Sequence, residues 1–390
     1  MNLISDIVDK HAKFTQWRRD IHAHPELAFE EHRTAKFVAD HLEAVGIEVM
    51  TGYGGTGIVG RLKSGSSARS IGLRADLDAL PMQEANDFEH RSETDGIFHG
   101  CGHDGHTVML LAAATRLAQA PNFDGTVYFI FQPAEEAMGG AEVMIKDGLF
   151  RDHHMDQIFG MHNWPGLPVG QFAVATGPMM AAFEKFDINI QGVGGHGAMP
   201  HHCIDPIVIA AQMIQAIQTV VSRNVDPQEA AVISITQVHA GNAYNVIPES
   251  VHLCGAMRYL DKQTGIKMRD RLKTIIETTA KAAGAQAELS FHDVMYPVLV
   301  NEAAATEVAI KAAQSIVGPD QVNTTARPIM GSEDFAWMLE QRPGCYLFIG
   351  NGSDSEGGCM VHHPEYDFND GIIPIGASYW VALTEDCLSR

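Results

Sequence analysis

Apolar residues Leu3, Ile4, Ile7, Val8, Phe14, Trp17 and Ile21 recur at helical spacing, so the chain opens with an amphipathic helix. A second helix is predicted over 31–45, where Gly46 stops it. Short β-rich runs follow at 47–50, 57–61 and 71–76. The apolar stretch 108–118 reads as a buried helix. The run 127–132, bounded by Gly125 and Pro133, reads as a buried strand. Strands alternating with helices predict an α/β sheet covered on both faces.

The pattern changes near Gly177 and Pro178. Residues 186–190 alternate like a half-buried strand, and a Gly/His loop follows. Next come a helix at 206–221 with Asp205 as its cap, strands at 231–238 and 251–259, a helix at 261–283 and a strand at 287–292. That order, βαββαβ over about 110 residues, is a ferredoxin-like pattern. Beyond Pro297 the α/β character returns. The expected architecture is a two-domain α/β protein. Residues 1–180 and 294–390 form one α/β domain, and 181–293 form a ferredoxin-like domain inserted into it.

Composition narrows the partners. Hydrophobic content of 45% with 19% charged residues is that of a folded chain. Lys plus Arg total 27 against 48 Asp plus Glu, a net charge of −21. This excludes sequence-independent binding to nucleic acid or anionic lipid, which needs a basic face. No apolar run reaches the roughly 18 residues of a membrane span. The first residues lack the basic and apolar regions of a signal peptide, so a cytoplasmic location is expected. The six cysteines are scattered, never spaced CxxC, and read as reduced thiols.

Four segments carry candidate chemistry. Cys101-Gly102-His103-Asp104-Gly105-His106 puts a thiol, imidazoles and a carboxylate on a Gly-rich loop entering a helix. Such donors suit Zn, Mn, Co or Ni, although a polar helix start with a buried cysteine would read the same way. Glu135 and Glu136 follow a predicted buried strand, where α/β sheets place ligands. On extended backbone their side chains would point opposite ways, one to metal and one to water. His162 and His362 each follow an apolar run or a Gly-rich turn. Two GxGxxG matches, at 52–57 and 192–197, lack a helix starting at the glycines and read as turns, which weakens a dinucleotide oxidoreductase. GxSxG is absent.

Together these motifs resemble the M20 metallopeptidase/amidohydrolase family, in its branch of hippurate hydrolases, N-acyl-L-amino-acid amidohydrolases and auxin-conjugate hydrolases. The resemblance runs through Arg18-Arg19-Asp20-Ile21-His22 and Leu73-Arg74-Ala75-Asp76-Leu77-Asp78. It continues through Cys101–His106, Pro133-Ala134-Glu135-Glu136, His162-Asn163 and Gly194-Gly195-His196. Asn245-Val246-Ile247-Pro248, Gly331-Ser332-Glu333-Asp334-Phe335 and His362 with Pro364 complete it.

The resemblance implies a two-metal catalytic domain and an inserted lid domain that also dimerises. Cys101, His103, Glu136, His162 and His362 would ligate two divalent ions (Mn, Zn, Co or Ni). Glu135 would be the general base: it takes a proton from a metal-acidified water, and the resulting hydroxide attacks the amide carbonyl. His196 would stabilise the oxyanion, reaching across a dimer as in relatives. Asn245 and Arg258 would bind the substrate carboxylate. Asp76 would orient a ligand, and the 331–335 loop would line the pocket. The implied substrate is an N-acyl or N-aroyl L-amino acid, and the implied assembly is a homodimer or higher homo-oligomer. A dipeptidase, an N-acetyl-diaminopimelate deacetylase and a non-catalytic binding protein are the alternatives.

Overall fold

A computed structural model describes residues 1–293, 295–353 and 358–390. The chain divides into two compact units. Met1–Met179, Leu299–Arg327 and Asp334–Arg390 form the first; Met180–Val298 and Pro328–Glu333 form the second.

The first unit is built on an eight-stranded sheet. In spatial order its strands are Glu48–Tyr53, Gly57–Ser64, Gly125–Gln132, Ser70–Asp76, Gln157–Pro165, Gly344–Gly352, Phe172–Ala173 and Val322–Asn323. The middle four, from Gly125–Gln132 to Gly344–Gly352, run parallel. Every residue of Ser70–Asp76 and Gly344–Gly352 is buried, as parallel strands covered on both faces must be. Helix His103–Gln119 packs against His11–Ala23 and Ile373–Cys387, and residues 108–114 have no exposed surface. Each fully buried Leu or Phe along this helix and the central strands contributes about 1.5–3 kcal/mol.

Local details depart from the sequence pattern. The opening amphipathic stretch is two helices, Ser5–Val8 and His11–Ala23, because Lys10 leaves helical geometry at φ −99°, ψ 6°. The helix predicted at 108–118 begins at His103, since Gly102 at φ 93° turns the loop directly into it. As expected, the glycines at 52–57 make a turn, the irregular one of an edge hairpin, and a strand follows. No described helix is long and apolar enough to cross a membrane.

The second unit has a four-stranded antiparallel sheet in the order Ala231–Ala240, Ser250–Tyr259, Ala182–Gln191, Gln286–Phe291. Helices Pro206–Thr219 and Lys262–Ala282 pack on one face, where Phe186, Ile188 and Leu253 meet Met213 and Leu272. Both helices start on aspartate caps. Asp205 accepts from the Ile207 N–H at 2.9 Å and Asp261 from the Thr264 N–H at 2.8 Å. Pro328–Glu333 joins this unit through hydrogen bonds. Arg258 Nη1 donates to the Met330 carbonyl and to Ser332 Oγ, both at 2.8 Å.

Candidate metal centre

The parallel strands end together, and the segments leaving them carry the chemistry. Ser70–Asp76 leads to Asp78, Gly125–Gln132 leads to Glu135 and Glu136, and Gln157–Pro165 itself carries His162 and Asn163. Glu135 and Glu136 do not lie on extended backbone. Ala134 takes a left-handed φ of 56°, which turns the chain into the short helix Glu135–Met138. His362, at φ 65°, is tied in by its N–H, which donates to the Gly100 carbonyl at 2.7 Å.

The five predicted ligands converge. Cys101 Sγ lies 3.3 Å from His162 Nε2, and His362 Nε2 lies 3.0 Å from Glu136 Oε1. The donor atoms of Cys101, His103 and His162 fall within 4.8 Å of one another. So do those of Cys101, Glu136 and His362, and those of His103, Glu135 and Glu136. Glu135 therefore stands at the same cluster.

Neighbouring groups set the tautomers. His103 Nδ1 donates to the Asp78 carbonyl at 2.9 Å, with Asp78 Oδ1 at 3.2 Å. His162 Nδ1 donates to the Asn163 carbonyl at 2.6 Å. Each ring thus turns its Nε2 toward the cluster, the arrangement that outer partners give metal-bound histidines. His103 Nε2 is fully buried and has no hydrogen-bond partner. A buried ring nitrogen with no hydrogen-bond partner, its nearest carboxylate oxygen 3.8 Å away on Asp76, is costly unless a cation joins it.

The electrostatics agree. Burial pushes the Cys101 thiol well above its usual range, and the charges of Glu136, Glu135 and Asp76 push it further. Burial opposes the charged form of His103, but Asp76, Asp78 and Glu136 outweigh it and raise its pKa to about 10. Burial drives His162 well below its ordinary value. The centre gathers an excess of carboxylates around buried imidazoles and a thiol, and the donor set fits divalent cations.

Other side chains shape the centre, and Asp78 among them had no role assigned from sequence. Asp78 holds His103, and its second oxygen accepts the Glu136 N–H at 2.9 Å. Asp76 does not hydrogen-bond to a ligand. Its Oδ1 lies 2.7 Å from His106 Nδ1, and its Oδ2 accepts from Arg74 Nη1 at 2.7 Å. His106 in turn meets Asn163 Oδ1 at 2.7 Å. Asp334, expected in a pocket-lining loop, is fully buried and accepts from Arg74, Gln132 and the Ala141 N–H. The alternation of Asp76 and Asp78 after an apolar strand was the available signal for this carboxylate shell.

His196, Asn245 and Arg258 belong to the second unit. His196 is exposed in a two-residue ladder with Val246, and the Asn245 carbonyl accepts the Gly197 N–H at 2.8 Å. His196 Nδ1 accepts the Ala198 N–H at 3.1 Å, so its proton sits on Nε2. Arg258 stacks over the Phe183 ring at 4.4 Å, and partial burial lowers its pKa.

The sequence profile of peptidase family M20/M25/M40 matches residues 72–386. Hippurate hydrolase of Campylobacter jejuni is 41% identical over 383 residues, covering 98% of each chain. N-acetylcysteine deacetylase of Bacillus subtilis is 37% identical, covering 96% of each. A solved Bacillus subtilis structure, described as a dinuclear metal-binding peptidase from the M20 family, superposes with a TM-score of 0.84. It is 34% identical, and the match covers 97% of this chain and 98% of that one.

Proposed function

Because the chain belongs to peptidase family M20/M25/M40 and is a metal-dependent amide hydrolase, we propose that it cleaves N-acyl or N-aroyl L-amino acids. The observation that carries this reading is the buried, unpartnered His103 Nε2 among Cys101, Glu135, Glu136 and His162. Two divalent ions, drawn from Mn, Zn, Co and Ni, would be held by Cys101, His103, Glu136, His162 and His362. When bound, they would acidify a water toward pKa about 7 and polarise the scissile carbonyl.

Glu135 lies at the cluster without being needed as a ligand, so it takes the water's proton and later delivers it to the leaving amine. His196, with its proton on Nε2, has the donor that a developing oxyanion requires. Both hydrogen bonds of Arg258 use Nη1, which leaves Nε and Nη2 for a substrate carboxylate. Asn245 stands exposed beside the His196 ladder as a second polar contact.

The βαββαβ unit serves as a lid of ferredoxin-like form and as the dimerisation domain. Its exposed Ile207, Val208 and Val238 are apolar surface that a homodimer would cover. The test is a hydrolysis screen of N-acetyl, N-benzoyl and dipeptide substrates with each metal in turn. Preferred turnover of the N-acyl and N-aroyl amino acids supports the reading, and preferred turnover of dipeptides contradicts it.

A further inference from the structure

The face of the four-stranded sheet turned away from its two helices carries a second group of metal-type donors. Strand alternation puts them there. Ala182–Gln191 buries Phe186 and Ile188 against the helices and turns Asp187 the other way. Ser250–Tyr259 buries Val251 and Leu253 and turns His252 and Cys254 to the face of Asp187. Cys254 pairs directly with Asp187 in the ladder. On the other side Ser290 pairs with Asp187, and His292 follows two residues later, its N–H on the Lys185 carbonyl at 3.0 Å. Two adjacent strands therefore bring Asp187, His252 and Cys254 together, and His292, one residue past the third strand, reaches Asp187.

The contacts are close. Asp187 Oδ1 lies 2.7 Å from His252 Nε2, and Asp187 Oδ2 lies 2.5 Å from His292 Nε2. Cys254 Sγ lies 3.7 Å from His252 Nε2. The donor atoms of Asp187, His252 and Cys254 are all within 4.8 Å of one another. Asp187, Cys254 and His292 also line an open cavity of about 510 Å³, so an ion can enter from solvent.

We propose that Asp187, His252, Cys254 and His292 form a second, non-catalytic site for a zinc-like divalent cation. One thiolate, two imidazoles and one carboxylate are the four donors of a closed tetrahedral zinc site. Ordinary Zn–S and Zn–N bond lengths at a tetrahedral angle separate sulfur and nitrogen by about 3.6 Å, close to the spacing seen here. The two His–Asp contacts, now hydrogen bonds, would open to about 3.3 Å around the ion. Binding displaces the Cys254 thiol proton to solvent, so it weakens in acid. Cys254 and Arg258 are four residues apart on one strand, about 13 Å, so the ion leaves Arg258 free for its own role.

The test is alkylation of the full-length protein by N-ethylmaleimide with and without zinc, with Cys254 read separately from Cys101 by peptide mass spectrometry. With free zinc at ten times the dissociation constant, Cys254 reacts about tenfold more slowly, since only the metal-free fraction is attacked. Replacing both partners, in His252→Ala with Asp187→Asn, abolishes the protection. Equal rates with and without zinc in the unaltered protein would overturn the proposal, as would protection that survives the double replacement. Neither result depends on the amide-hydrolase reading, because Cys254 has no part in it.

Discussion

Asp78 grips His103 and the base of the acidic segment at once. His103 Nδ1 donates to the Asp78 carbonyl at 2.9 Å, while Asp78 Oδ2 accepts the Glu136 N–H at 2.9 Å. Asp78 thereby positions two of the proposed ligands, His103 chiefly through its carbonyl and Glu136 through its carboxylate. Asp78→Ala releases the Glu136 N–H and removes the carboxylate oxygen 3.2 Å from His103 while keeping the carbonyl contact, and metal affinity should fall about 10-fold, the lower end of what losing such a partner costs. Competition with a chromophoric chelator reads this, and an unchanged affinity would show that Asp78 does not position the ligands.

Glu135 and Glu136 have separable roles. Glu135→Gln keeps the shape but cannot take a proton, so turnover should fall about 10²–10⁴-fold with metal content unchanged. Glu136→Gln should instead lose metal. Elemental analysis beside turnover distinguishes the two, and an active Glu135→Gln protein would remove the base assignment.

Gly102 allows the ligand loop to enter the helix at His103. Its φ of 93° is strained for any other residue, and an added Cβ would lie 2.3 Å from Asn163 Oδ1 and 2.5 Å from Tyr366 Oη. Gly102→Ala should cost at least about 1–2 kcal/mol from the backbone alone and lower the thermal midpoint. It should also loosen the Asn163–Tyr366 contact of 2.7 Å. An unchanged midpoint would contradict the account of this turn.

These relationships mark what the sequence showed and what it hid. The central strands were readable because strands buried on both faces are continuous apolar runs, and the cap Asp205 announced its helix. The five proposed ligands were singled out by motif order. Their geometry was not, because it rests on φ values: Ala134 at 56° turns Glu135 and Glu136 into a helix, and Gly102 at 93° starts another at His103. Asp78 carried no signal of its own beyond its place two residues after Asp76. The return of Pro328–Glu333 to the second unit rests on contacts with Arg258 and Ala181 that are distant in sequence.

His22 makes stability depend on pH. Burial opposes its charge, but hydrogen bonds to Asp104 (2.8 Å) and Glu84 (3.3 Å) prevail and raise its pKa from 6.5 to about 9. A raised histidine stabilises fully below its unfolded value and loses that contribution as pH climbs through the folded one. The contribution, about 3 kcal/mol, should therefore hold at pH 6 and disappear between about 6.5 and 9. Thermal melts of the wild type and His22→Gln across that window check this, and parallel curves would contradict it.

The central claim is that the Cys101–His103–Glu136–His162–His362 cluster holds the ions that make this chain an amide hydrolase. The most direct measurement strips the protein with a chelator, adds back Mn, Co, Zn or Ni stepwise, and follows bound metal and hydrolysis of N-benzoyl and N-acetyl amino acids together. Activity should vanish on stripping, return as two ions bind per chain, and fail to return in His103→Ala. Undiminished hydrolysis by the stripped protein, or full recovery in His103→Ala, would contradict the account.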